Sequence, residues 1–94
     1  MTVGLVAFHY PEPKLFDEFI ARAQQAVEAI RVTPGCLSAD CWVTNDGDAV
    51  VTTGQWESED TYKASFVTAR EAGVDFTYDE RECRPRQVFT LHSR

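Results

Sequence analysis

Trp56 and Tyr62 are the residues best suited to handling a flat organic molecule. An indole gives a face for stacking, and a phenol adds a hydroxyl that donates or accepts a hydrogen bond. Thr52 stands four residues before Trp56, so on a strand the two side chains share a face. Tyr62 follows at the start of a predicted helix, above that face. A packed core at a strand–helix junction uses the same residue types, so this trio is a candidate site and a candidate core together. His9 and His92 are the only histidines. Both fall near predicted strand ends. A neutral imidazole at a pocket mouth can act as a general base because such groups titrate near working pH. A strand-end histidine with no chemistry satisfies the sequence as well. Strand periodicity alone does not say whether His9 shares a pocket with Trp56.

The remaining polar clusters carry less. Arg81, Arg84 and Arg86 are interspersed with Asp79, Glu80 and Glu82. They offer guanidinium groups to an anion, but alternation of this kind reads as a self-compensated, solvated surface. Gly-rich phosphate loops and nucleophile elbows are absent, so no nucleotide, flavin or other cofactor is expected. Cys36, Cys41 and Cys83 are an odd set without metal-ligand spacing. Cys36 and Cys41 have odd separation on one strand, which predicts opposite faces and reduced thiols.

The elements that must position these groups follow from periodicity. Thr2–Tyr10 reads as a strand with apolar residues on both faces, hence a central strand. Pro11 and Pro13 end it. Lys14 to about Val32 reads as a helix, with Phe16, Phe19, Ile20, Ala23, Val27 and Ile30 on one stripe. At about 1.5 Å per residue it is long enough to run back along the whole first strand. Thr33-Pro34-Gly35 stops it. Two strands then flank Asn45-Asp46-Gly47-Asp48. Asp-Gly predicts a two-residue type I′ turn with Asn45 facing Asp48. That register pairs Val43 with Val50, Cys41 with Thr52, Ala39 with Gly54 and Leu37 with Trp56. Ser58 caps a second helix reaching about Ala72, with Tyr62, Phe66 and Ala69 inward and Gly73 as its stop. Asp75–Cys83 is either a short third helix or an irregular connection. Arg86–His92 is the last strand.

This order is the split βαβ, ferredoxin-like plan: one α+β domain over residues 1–94, with a four-stranded antiparallel sheet and helices on one face. The uncovered face carries Trp42, Val51 and one apolar set of the first strand, which predicts a homodimer through the sheet face. The formal charge of −6 argues against nucleic acid or an anionic membrane as partner. No apolar run is long enough to span a bilayer, and the start of the sequence lacks signal-peptide character. A cytoplasmic location is the expectation.

Thr33-Pro34-Gly35-Cys36 ahead of the second strand, with Gln55-Trp56-Glu57-Ser58 joining the third strand to the second helix, resembles the antibiotic biosynthesis monooxygenase family. The likeness spans nearly the whole chain in element order. It implies a dimeric α+β barrel with a pocket in each subunit between sheet and helices. The family's polyketide-tailoring oxygenases carry Asn-x3-Trp-x5-Tyr. Trp56 and Tyr62 match it, and Thr52 stands in place of the Asn. The haem-degrading branch carries a His ten residues beyond the Trp, where this chain has Phe66, and an Asn on strand one, which this chain lacks. The resemblance therefore implies a cofactor-independent monooxygenase of a small aromatic, phenolic or quinol substrate. Its roles fall to Trp56 for stacking, Tyr62 for hydrogen bonding to a phenolate, Thr52 and Phe66 as substrate contacts, and His9 as base. The alternative is a non-catalytic, dimeric ligand-binding or regulatory module of the same fold.

Overall fold

The computed structural model describes residues 2–74 and 84–94. Strand β1 (Val3–His9) leads through a 3-10 turn at Pro13–Leu15 to helix α1 (Phe16–Arg31). Strands β2 (Cys36–Val43) and β3 (Val50–Trp56) follow, then helix α2 (Glu59–Glu71) and strand β4 (Gln87–His92). The sheet is antiparallel in the order β2-β3-β1-β4. This is the expected ferredoxin-like α+β plan, with β1 in the middle. The third helix considered for Asp75–Cys83 lies outside the described residues. Among the described residues, no helix is long and apolar enough to cross a membrane.

Helix α1 starts at Phe16, the first residue of its apolar stripe and two residues after the expected Lys14. Pro13 opens a tighter turn in which Leu15 N–H donates to Glu12 O, and the α-helical ladder begins only after it. Helix α2 is set by its cap. Ser58 Oγ accepts from Thr61 N–H while Thr61 Oγ1 accepts from Ser58 N–H. This reciprocal box uses Thr where Glu or Gln is usual.

Two details of the β2–β3 hairpin differ from expectation. A type I′ turn needs positive φ at both Asp46 and Gly47, yet only Gly47 has it. The loop is longer: Thr44 N–H donates to Ala49 O, so Thr44, not Asn45, makes the last cross-strand bond. Side chains explain it. Thr44 Oγ1 accepts from the amides of Asp48 and Ala49, and Asp46 Oδ1 accepts from Asp48 N–H and from the Thr44 hydroxyl. These local bonds fold four residues instead of two. They also hold the Asp46 carboxyl below its usual range, the Asp48 amide first and the Thr44 hydroxyl second. The predicted pairs Val43–Val50, Cys41–Thr52 and Ala39–Gly54 stand, because both loops are centred on the same peptide.

At the other end of the hairpin, Cys36 rather than Leu37 faces Trp56, with a bulge between Cys36 and Ser38. Leu37 swings outward and is half exposed. The extra residue puts Cys36 on the same face as Cys41, against the expectation of opposite faces. Both pack on the helix-side core, and burial pushes both thiols up. Their cross-strand partners, Trp56 and Thr52, are four residues apart, or about 13 Å. A disulfide between them is out of reach. Cys83 lies outside the described residues.

The core joins Val27 and Ile30 of α1, Ala69 of α2, and Ala39 and Trp56 of the sheet. Both helices pack mainly on β2 and β3. Beside β2, the Arg31 guanidinium donates from Nε (3.1 Å) and a terminal nitrogen (2.6 Å) to Ala39 O. It also lies 3.7 Å from Asp40. On the opposite sheet face, Trp42, Phe89 and Leu91 remain about half exposed. Phe8 meets Phe89 edge to face, and Trp42 Nε1 donates to Thr53 Oγ1.

Candidate functional site

Trp56 is the last residue of β3 and its ring is 1% exposed. Its six-membered ring lies back over Gly54, and a Cβ placed on Gly54 would stand 2.6 Å from the ring edge. Only a glycine lets the indole lie flat on the strand there. Tyr62 and Phe66 close over it from α2, one helical turn apart on the same face. Ring centroids are 4.8 Å apart for Trp56–Tyr62, 5.9 Å for Trp56–Phe66 and 5.4 Å for Tyr62–Phe66. The two contacts of Tyr62 are edge to face, the arrangement the ring quadrupoles favour. Trp56 Nε1 is buried and makes no hydrogen bond among the described residues. Leaving such a donor unmet costs about 1–3 kcal/mol.

The Tyr62 hydroxyl leaves this cluster and lies 3.5 Å from Thr90 Oγ1 on β4. Thr90 is opposite Leu5, and Leu5 is opposite Gly54, so the contact crosses the helix-side face of the sheet. Phe66 stands ten residues beyond Trp56, and its ring faces Trp56 and Tyr62.

His9 and Thr52 belong to the same face, which sequence alone left open. Val3 is opposite Trp56, and His9 is opposite Val50. Alternation puts Val3, Leu5, Ala7 and His9 on the helix side with Trp56, Gly54, Thr52 and Val50. His9 Nε2 lies 3.5 Å from Thr52 Oγ1, and its ring is 5.4 Å from that of Phe19. The same register separates His9 from Trp56 by six residues along β1, or about 20 Å. The face thus holds two groups: Trp56, Tyr62, Phe66 and Thr90 at one end, His9 and Thr52 toward the other. A separate groove of about 320 Å3 runs between Thr33–Pro34 and Asp60, Thr61, Ala64 and Thr68. It lies on another flank of α2 and involves none of these residues.

Thr90 and Gly54 went unread in the sequence. Gly54 carried a signal, a glycine inside a β-branched strand two residues before a tryptophan. Thr90 carried none until the β1–β4 register was known.

An antibiotic biosynthesis monooxygenase family model matches residues 2–69. No curated protein matches the chain. Among solved structures, Rv0793 from Mycobacterium tuberculosis is similar at 22% identity and TM-score 0.79, covering 99% of this chain and 95% of that one. A conserved protein from Methanosarcina mazei Go1 has 12% identity and TM-score 0.85, with 100% and 94% covered. A structure described as an antibiotic biosynthesis monooxygenase has 15% identity and TM-score 0.75, with 97% of each chain covered. At these identities the structural likeness shows the fold.

Proposed function

The chain belongs to the antibiotic biosynthesis monooxygenase family, and on that premise we propose that it is a cofactor-independent monooxygenase of a small aromatic, phenolic or quinol substrate. The observation that carries this reading is the Trp56, Tyr62 and Phe66 cluster with the Tyr62 hydroxyl turned out of it toward Thr90. A phenol hydroxyl at the margin of an aromatic cluster suits the oxygen of a phenolate whose ring lies beside it. Phe66 adds apolar wall. Thr52 supplies a polar contact farther along the face, and His9 is the base for a substrate long enough to reach it. The phenol loses its O–H proton to a base. The electron-rich ring then passes one electron to O2, and the radical pair recombines into a carbon–peroxide bond. Breaking the O–O bond with loss of the ring C–H releases water and leaves a quinone carbonyl. Ring and O2 supply all the electrons, so no external reductant enters. The family's fold pairs subunits through the sheet, and the exposed Trp42, Phe89 and Leu91 support a homodimer on that face.

The burial of Trp56 favours a second reading, a non-catalytic ligand-binding module in which the cluster is core. The test is oxygen uptake across a panel of phenols and reduced naphthoquinones, corrected for autoxidation. Uptake above the blank, sensitive to Trp56 and Tyr62, supports the oxygenase. Rates at the blank throughout, with Trp56→Phe changing stability alone, support the second reading.

A further inference from the structure

The pairing of β1 with both neighbours places a second imidazole at the aromatic end of the face. Val3 is opposite Trp56 on one side and opposite His92 on the other. Residues directly opposite in an antiparallel pair point to the same face, so Trp56, Val3 and His92 form one row on the helix side. Two strand spacings separate Trp56 from His92, or about 10 Å. That is half the distance from Trp56 to His9. Thr90, two residues before His92 on the same face, is the residue that meets the Tyr62 hydroxyl. His92 is exposed on an edge strand, and the Tyr62–Thr90 contact beside it is exposed too, so a substrate oxygen at the Tyr62 hydroxyl lies within reach of His92 from solvent.

We propose that, for a substrate held at the aromatic end, His92 rather than His9 is the proton acceptor, and that Thr90 is a positioning residue holding the Tyr62 hydroxyl toward the same substrate oxygen. The proposal rests on the oxygenase reading above. In this step the phenolic O–H bond breaks, an N–H bond forms on the His92 imidazole, and the phenolate stays paired with the Tyr62 hydroxyl as donor. No electron moves until O2 arrives. Around His92, the helix-side face presents Val3, Leu5 and Trp56 from the sheet, Tyr62 from α2 and Thr90 from its own strand. Among the described residues of that set, Tyr62 alone is titratable. Asp60 and Lys63 flanking Tyr62 on α2, Glu57 beside Trp56, and Arg94 beyond the end of β4 are the charged residues nearest in sequence.

The experiment uses the full chain and a chromogenic nitronaphthol, whose phenolate absorbs in the visible. Binding, the ionisation state of the bound dye and the two histidine ring resonances are followed together from pH 5 to 9, with oxygen uptake on a reduced naphthoquinone run in parallel. The proposal expects the dye to bind as phenolate at a pH where the free dye is protonated, with the His92 resonance perturbed. His92→Gln should abolish that stabilisation, lower kcat/KM about 100-fold or more, and remove the acid limb of its pH profile without changing thermal stability. Thr90→Val should lower kcat with little change in KM and keep the acid limb, and Thr90→Ser should restore the rate. Dye that binds while perturbing His9 alone, or a limb that survives His92→Gln and vanishes in His9→Gln, overturns His92 as acceptor and leaves the oxygenase reading standing. No binding of any phenol, with uptake at the blank, overturns both.

Discussion

Tyr62 separates an enzyme from a scaffold at the level of one hydroxyl. Tyr62→Phe keeps the ring contacts with Trp56 and Phe66 and removes only the contact with Thr90. We expect thermal stability to be unchanged, because that hydroxyl is exposed. Turnover should fall about 10–1000-fold, the loss of one hydrogen bond to a developing charge; full activity would remove Tyr62 from the mechanism. Gly54→Ala acts the other way. Its methyl would meet the buried Trp56 ring, so we expect a loss of about 1–3 kcal/mol in urea unfolding, with any activity falling in step. The aromatic cluster was legible in the sequence because Trp, Tyr and Phe at strand and helix spacing announce their face. The partners were not. Thr90, His92 and His9 join the face only through the alignment of strands distant in sequence, which no local pattern encodes.

Individual elements were read well where one local rule governs them and less well where side chains compete with it. The helix α2 boundary followed from Ser58, although the Thr61 half of the box did not. Ser58→Ala should cost about 1 kcal/mol in thermal or urea unfolding. The hairpin shows the competition. Asp-Gly favours a two-residue turn, but the Thr44 hydroxyl and Asp46 carboxylate recruit the amides of Asp48 and Ala49 first. This gives the turn a pH dependence. The folded-state pKa of Asp46 is lowered, so its contribution is complete above the unfolded value, about 3.9, and disappears as pH falls through the lower folded value. Amide exchange at Asp48, corrected for intrinsic rates, should show constant protection from neutrality to about pH 4 and a decline below it. Asp46→Asn should remove that decline. The bulge after Cys36 was invisible to alternation, because a bulge is one residue that breaks the rule by which strands are read.

The whole molecule presents two unlike sheet faces, one covered by helices and one carrying Trp42, Phe89 and Leu91 half exposed. We propose that a second copy covers the latter. Trp42→Asp would put a charge in that contact, and light scattering should then report monomer or unfolded chain in place of dimer. A stable dimer would move the interface elsewhere. Sequence periodicity made this face visible because apolar residues on both sides of β1 need two coverings and the helices provide one. Arg31 bears on a different kind of association. Its guanidinium occupies the backbone carbonyl of Ala39 on the outer strand β2, so that margin resists addition of a further strand. Arg31→Ala would bare the Ala39 carbonyl and leave the β2 margin open to a further strand. The expected sign is concentration-dependent fibre formation, followed by thioflavin fluorescence, in the variant and not in the parent protein.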